Sequence, residues 1–322
     1  MLKKLLVSCL VVLTILPLVV SCSVANASEI TLIPGATNTV VKIQVGKILS
    51  NPALQVAYSE LAKANAAWPQ NTNEALNQLL QKTGFDLSTI SNLVLFADIE
   101  SANQTQNTYI GIIASGIFNE AMLIDTIQQQ TQQTLTTSDY KGLKIYSGEK
   151  DQFELAFLSQ GQLVFGTPKA VRDVVDVSKG DQPALSGGVI DMLNRFGSAL
   201  VVGASTAPQN LHSELSQQFF KQTTFSLKSF QDMDTLGFAI DQPSLSLSIR
   251  IDAHFLNVTS VQDSKDAITG LISLAKGASQ GQNVKTALSN IQVSTTDSWL
   301  SIRDLINPSD LATLIGMIQT KK

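Results

Sequence analysis

The stretch LSLSIRIDAHF at positions 245–255 alternates apolar and polar residues along its whole length. Side chains of a β-strand point to its two faces in turn. The apolar face consists of Leu245, Leu247, Ile249, Ile251, Ala253 and Phe255. The polar face consists of Ser246, Ser248, Arg250, Asp252 and His254. This pattern predicts one buried and one solvated face, which is typical of an antiparallel sheet covered on one side.

Other β-rich runs bounded by turn residues predict further strands. They are VVKIQV (40–45), NLVLFADI (92–99), YIGIIAS (109–115), LKIYS (143–147), FELAFL (153–158), QLVFG (162–166), ALVVGAS (199–205) and TLGFAID (235–241). The segment IQVSTTDSWLSI is also strand-like. The short polar loops SQGQ after Leu158 and DQPS after Ile240 predict antiparallel hairpins.

Helices are expected behind three dipeptides that place a capping residue before proline: Asn51-Pro52, Thr167-Pro168 and Asn307-Pro308. Apolar spacing predicts further helices at 73–83, 119–134, 189–196, 208–220, 261–276 and 282–290. Strands and helices do not alternate as in a doubly wound fold, so the expected class is α+β. We expect antiparallel sheets with helices packed on one face.

The order of elements suggests two related halves. The turn-rich stretch GDQPALSGG at 180–188 marks the boundary between them. We assign 1–21 to a signal peptide, 22–31 to a short linker, 32–180 to the first half and 181–322 to the second. Element types can be aligned between the halves and residues cannot.

The N-terminus contains Lys3 and Lys4 followed by an uncharged apolar run up to Cys22, as in a secretory leader. Val19, Val20, Ser21 and Cys22 resemble the lipobox of bacterial lipoproteins. The resemblance implies that Cys22 carries diacylglycerol, that the leader is cut before it, and that the protein is anchored to a membrane outside the cytoplasm. An A-x-A site at positions 25–27 keeps a second outcome open, in which cleavage before Ser28 releases a secreted protein.

The stretch from Tyr140 to Gly180 contains YKGLKIY, the hairpin FELAFLSQGQLVFGTP and AVRDVVDVSKG. It resembles a recurrent pattern in uncharacterised exported proteins and lipoproteins of bacteria and archaea. The resemblance covers about forty residues and implies an α+β body in the envelope with no assigned activity.

Charge and cysteine content narrow the classes of function. Loss of Lys3 and Lys4 with the leader changes the net charge from −4 to −6, which argues against nucleic acid as a partner and against electrostatic docking on anionic lipid. Cys9 and Cys22 are the only cysteines, so the body has no disulfide, thiolate zinc site or thiol nucleophile. Dinucleotide-binding, P-loop and calcium-loop motifs are absent from the sequence, so we expect no cofactor and no metal.

Three short matches resemble the motifs of serine acyl-enzymes of the penicillin-binding class: Ser273 to Lys276, Ser101 to Asn103 and Lys82 to Gly84. Their order along the chain is reversed, and Lys82 to Gly84 ends a helix instead of lying on a strand. We therefore expect no catalytic residue.

The remaining titratable residues suggest surface roles. His254 shares its strand face with Asp252 and Arg250, and we interpret this face as a solvated charge ladder. His212 has no second histidine within a turn, so metal binding is not expected. The carboxylate pairs Asp173 with Asp176 and Asp263 with Asp266 are interpreted as surface charge on helices.

The sequence thus predicts an envelope lipoprotein that is a non-enzymatic binding or structural module, tethered through Cys22. A carrier of lipid or of another apolar ligand is the first alternative, and a serine hydrolase is the second. The envelope protein partner or apolar ligand is not specified by the sequence.

Overall fold

A computed structural model describes residues 28–64, 69, 71–83, 86–99, 108–149, 152–207, 228–242, 246–279 and 281–306. Within these ranges, twelve strands form one antiparallel sheet in the order β11-β12-β10-β9-β8-β1-β2-β3-β7-β6-β5-β4. The strands are β1 Thr39–Ile43, β2 Ile90–Asp98, β3 Tyr109–Gly116, β4 Thr136–Tyr140, β5 Leu143–Ser147, β6 Glu154–Ser159, β7 Gln162–Gly166, β8 Val201–Thr206, β9 Met233–Asp241, β10 Leu247–Phe255, β11 Gln292–Thr296 and β12 Trp299–Ile306.

The described helices connect and cover these strands. They are α1 Val45–Leu49, α2 Pro52–Ala64, α3 Thr72–Thr83, α4 Glu120–Thr131, α5 Pro168–Lys179, α6 Gly188–Phe196, α7 Val258–Ala278 and α8 Gln282–Asn290. Short 3-10 helices lie at Glu29–Leu32, Leu87–Thr89 and Lys228–Asp232. The predicted class, α+β with antiparallel pairing, is confirmed.

Helices lie on both faces of the sheet, and the prediction of helices on one face is therefore wrong. We call face A the side that carries Val40, and face B the side that carries Val41. Helices α5 and α6 pack on face A together with the 3-10 helix at Glu29–Leu32. Helices α1, α4 and α7 contribute to separate apolar clusters on face B. Two buried faces explain why strands such as β7 are apolar on both sides.

The two halves meet at the antiparallel pair β1–β8, in which Val41 lies opposite Gly203. Strands from 32–180 continue outwards from β1, and strands from 181–322 continue outwards from β8. Counted outwards from this junction, the strand orders β1-β2-β3-β7-β6 and β8-β9-β10-β12-β11 correspond, and the first half adds the hairpin β4–β5. Descent of the halves from a duplication stays a prediction.

Most expected elements are present with small shifts in their ends. The SQGQ loop joins the paired strands β6 and β7, and the strands before and after DQPS, β9 and β10, are also paired, as predicted; residues 243–245 lie outside the described residues. The strand-like segment 291–302 is a hairpin of β11 and β12 that turns at Asp297, which has φ 51°. The predicted helix 208–220 and the Asn307-Pro308 helix lie outside the described residues.

Two segments differ from the sequence interpretation. TTSDY at 136–140 forms β4, although it lacks apolar alternation, because Lys141 (φ 53°) and Gly142 (φ 78°) turn the chain back onto β5. Residues Glu29–Leu32 form a 3-10 helix with Glu29 buried, so the folded body begins inside the range assigned to the linker.

At the centre of β10, the observed burial is the opposite of the burial that the sequence predicts. Asp252, on the polar face, is fully buried, whereas Ile251, on the apolar face, is 38% exposed. The alternation itself is correct, because Asp252 lies on face A and Ile251 on face B. The prediction of a solvated polar face is wrong, because α6 packs on the neighbouring strands β8 and β9 and its Arg195 binds Asp252.

Candidate functional site

One apolar row crosses face B from β5 to β11. Cross-strand pairing places its members directly opposite one another in successive strands. We call this set the apolar row; it consists of Tyr146, Leu155, Phe165, Ile112, Leu95, Val41, Gly203, Phe238, Ile251, Ile302 and Val293. Pairs of this kind are the unit of sheet stabilisation, so the row is part of the core of the sheet.

Coverage of the apolar row is uneven. Tyr146 and Leu155 are buried in a cluster that includes Ile124 and Ile127 of α4. From Phe165 to Val293 all members except Gly203 keep partial exposure, and it is greatest at Ile251. Contiguous apolar surface that stays accessible to solvent is a common property of binding sites. The apolar row is therefore the main candidate for a binding surface.

Gly203 allows the row to pass from one half to the other. A Cβ built on Gly203 would lie 2.3 Å from Cε1 of Phe238, so the phenyl ring occupies the space that a side chain would need. The ring of Phe238 therefore lies across β8 and fills the gap in the row next to Val41. This arrangement keeps face B apolar at the junction of the halves.

On face A, Asp252 is the centre of a charged cluster. Its carboxylate accepts hydrogen bonds from Nε of Arg195 at 2.6 Å, Nε of Arg250 at 2.8 Å and Oγ of Ser301 at 2.7 Å, and from a terminal nitrogen of Arg250. Burial raises the pKa of Asp252, but the hydrogen bonds from Arg250, Ser301 and Arg195 outweigh it, so the pKa lies below its usual value. Asp252 therefore stays ionised although it is fully buried.

Aromatic rings hold the two arginines of this cluster. The guanidinium carbon of Arg195 lies 4.4 Å from the ring centroid of Trp299, and that of Arg250 lies 5.2 Å from the ring centroid of Phe196. Trp299 also contacts His254, with 4.7 Å between ring centroids. Sequence reasoning missed Arg195 and Trp299, because only the cross-strand register and the position of α6 bring them to β10.

His254 is oriented by Asp234 and not by Asp252, which lies on the same face of its strand. Its Nδ1 lies 2.7 Å from Oδ1 of Asp234, whereas Asp252 is held by the arginines. Among the described residues, no group of three or more His, Cys, Asp or Glu side chains could hold a metal ion. His212 lies outside the described residues.

The aspartates of α5 are buried, so their interpretation as surface charge is wrong. Asp173 accepts from the Tyr109 hydroxyl at 3.1 Å and from Lys169 at 2.6 Å. Burial and the negative charge of Asp173 raise the pKa of Tyr109. The second pair, Asp263 with Asp266, is exposed as predicted.

Asp176 has the larger set of partners on α5. It accepts from the Tyr140 hydroxyl at 3.0 Å and from Gln182 at 3.0 Å, and its Oδ1 lies 2.6 Å from Nζ of Lys141. Burial raises the pKa of Asp176, and the bonds from Lys141, Tyr140 and Gln182 outweigh it and lower the pKa. Both aspartates thus fasten α5 to face A and its neighbouring loops.

The residues of the acyl-enzyme pattern do not form a described site. Oγ of Ser273 donates to the carbonyl oxygen of Thr269 at 2.9 Å within α7 and is exposed. Lys82 lies in α3, whereas Gly84 and the segment from Ser101 to Asn103 lie outside the described residues. Cys22, the predicted lipidation site, also lies outside them.

A concavity of about 400 Å³ lies beside α4. It is lined by Asp125, Gln128, Gln129, Gln132, Gln133 and Thr134. This polar lining does not match the apolar pocket expected of a lipid carrier. Across the described part of the chain, no helix combines the length and the apolar character needed to span a bilayer.

Comparisons with known proteins give a likeness of fold. The chain is similar to a structure entitled "Structure of crystal form III of TP0453", with 10% sequence identity, coverage of 91% of this chain and 99% of that chain, and a TM-score of 0.50. Crystal forms I and IV of TP0453 give 11% and 9% identity, about the same coverage and TM-scores of 0.48. No protein-family model and no curated protein matches the sequence. The likeness to crystal form III agrees with the α+β fold.

Proposed function

We propose that this protein is a lipid-anchored, non-enzymatic binding module of the cell envelope, attached to a membrane through Cys22. The proposed binding role is supported by the apolar row, which crosses eleven of the twelve described strands and, apart from Gly203, stays partly exposed from Phe165 to Val293. The attachment is supported by the leader and its lipobox-like end at Cys22.

The short distance between Cys22 and the folded body supports a role at the membrane. Ser28 is followed directly by the buried Glu29, and Ile33 is 0% exposed. Six residues of extended chain span at most roughly 20 Å. An acylated Cys22 would therefore keep the sheet close to the bilayer and to partners that lie near it.

Detergent phase partitioning of the protein from its own host tests the anchor. We expect the unmodified protein in the detergent phase and Cys22→Ala in the aqueous phase, because two or three acyl chains supply most of the affinity for the bilayer. Cys9→Ala is the matched control and should behave like the unmodified protein. Retention of Cys22→Ala in the detergent phase would contradict attachment through this residue.

The second candidate function, a carrier of lipid or another apolar ligand, is favoured by the same apolar row. Mass spectrometry of lipid extracts from the purified protein tests it. A carrier should yield bound lipid that Ile251→Glu reduces, since the introduced carboxylate would place a charge on the most exposed member of the row. The control is Met122→Glu, which adds the same charge to an exposed apolar residue of α4 outside the apolar row. Absence of lipid from the unmodified protein would contradict the carrier function.

A further inference from the structure

Strands β10 and β12 and helix α6 of the second half bring three arginines to the same region of face A. Arg250 and Arg303 are direct cross-strand partners in the pair β10–β12. Arg195 of α6 reaches the same place, because it shares the carboxylate of Asp252 with Arg250. Two guanidinium groups thus hold one buried carboxylate, and Arg303 lies directly across from one of them, in a protein whose overall charge is negative.

Among the described residues, Arg303 has no partner that explains its position. Within this part of the chain its side chain makes no hydrogen bond and no ion pair, and it is exposed. Its neighbour on the other side is Gln292 of β11, which is neutral and exposed. Like charges directly opposite each other in a sheet are destabilising, so Arg303 is an unfavourable neighbour of Arg250 from the standpoint of stability alone.

The other two arginines are held in place before any ligand arrives. Asp252 fixes Nε of both guanidinium groups, while Trp299 and Phe196 support them from the side. Their side chains remain 30% and 21% exposed at Arg195 and Arg250. Fixed donors of this kind reduce the entropy lost on binding.

We propose that Arg195, Arg250 and Arg303 form a binding site for a phosphate group. A guanidinium group is a planar donor suited to oxyanions, and Asp252 uses Nε of Arg195 and Nε with one terminal nitrogen of Arg250, so terminal N–H groups of both arginines remain for a ligand. Donors that come from three elements, α6, β10 and β12, match the several oxygens of a tetrahedral phosphate. Asp241, another carboxylate on this face, lies opposite Ser248, two residues along β10 from Arg250.

The phosphate can belong to a soluble ion or to a lipid headgroup, and two probes separate these sources. The first is inorganic phosphate, titrated by calorimetry at constant ionic strength. The second is cosedimentation with vesicles of phosphatidylcholine, alone or mixed in equal parts with phosphatidylglycerol. The protein carries Cys22→Ala in both assays, so that acyl chains cannot produce vesicle binding. The test is therefore independent of the proposed anchor.

Arg303→Gln is the decisive variant, because its side chain is exposed and has no described partner whose loss would disturb folding. We expect it to weaken phosphate or phosphatidylglycerol binding roughly tenfold or more, as for loss of charge-assisted hydrogen bonds. Arg303→Lys keeps the positive charge but lacks the planar donor geometry of the guanidinium group, and should give an intermediate loss of affinity. Lys47→Gln removes an exposed charge from α1 and is the matched control.

Each result decides the proposal. Saturable binding of inorganic phosphate that Arg303→Gln weakens supports the site with a soluble ligand. Binding only to vesicles with phosphatidylglycerol, again weakened by Arg303→Gln and unchanged by Lys47→Gln, supports it with a lipid headgroup. Absence of binding to both probes would overturn it, and so would an equal effect of Arg303→Gln and Lys47→Gln.

Discussion

Replacement of Asp252 by alanine should destabilise the fold more than removal of an exposed aspartate. The carboxylate is fully buried and accepts four hydrogen bonds, three of them from Arg195 and Arg250. Its loss leaves two guanidinium groups without their counter-charge. Removal of one partner from a buried ion pair costs about 3–5 kcal/mol. Because both arginines remain partly exposed and water can reach them, we expect the lower end, about 3 kcal/mol.

Urea denaturation followed by circular dichroism measures this change in the free energy of unfolding. With a slope of about 3 kcal/mol/M, a loss of about 3 kcal/mol lowers the midpoint by about 1 M. Asp263→Ala on α7 is the control, since Asp263 is exposed and should change stability by less than about 0.5 kcal/mol. If Asp252→Ala cost no more than this control, the buried cluster would be refuted, and face A of β10 would be solvated.

The contribution of Asp252 to the free energy of unfolding should change with pH in a defined direction. The pKa of Asp252 is lowered in the folded protein, so its contribution is fully present above the unfolded value of about 3.9. It is lost as the pH falls below that value and through the lowered folded pKa. The difference in unfolding free energy between the unmodified protein and Asp252→Asn should be constant above about pH 5 and shrink below about pH 4. A difference that grows on acidification would contradict a lowered pKa.

Three further changes test the sheet. Gly203→Ala should cost about 1–3 kcal/mol in urea denaturation, since its Cβ would meet the ring of Phe238, and Phe238→Leu in the same chain should restore part of the loss. Asn257→Ala removes the side-chain acceptor for the backbone N–H of Thr259 at the start of α7 and should lower the thermal midpoint by an amount equivalent to about 1 kcal/mol. Gly142→Ala should cost about 1–2 kcal/mol at a φ of 78°, and hydrogen exchange should show faster opening of β4. Unchanged values would count against the Phe238 contact, the helix cap and the β4–β5 turn, respectively.

The alternation of 245–255 was sufficient to predict which residues share a face, but not which face is buried. Period-two alternation reflects the two sides of one strand, whereas burial depends on what packs against each side. Helix α6 supplies Arg195 to face A and makes the burial of Asp252 possible. On face B, Ile251 keeps 38% exposure among the described elements. Tertiary packing therefore buries Asp252 and leaves Ile251 partly exposed, which is the opposite of the burial that the alternation predicts.

The candidate sites were less accessible to sequence reasoning than the fold. The apolar row combines residues from eleven strands. Its continuity depends on the pairing of β1 with β8, two strands that are far apart in the sequence. The arginine cluster likewise joins positions 195, 250 and 303. A single sequence contains no direct signal for such register. Local signals such as hairpin loops and helix periodicity were sufficient for most elements.

The intact mass of the mature protein, extracted from the membranes of its native host, tests the proposed tether most directly. We expect a chain that starts at Cys22 and carries the added mass of diacylglycerol, and a loss of this mass in Cys22→Ala. A chain that starts at Ser28 with no added mass would contradict the anchor, and a secreted protein would then be the better description.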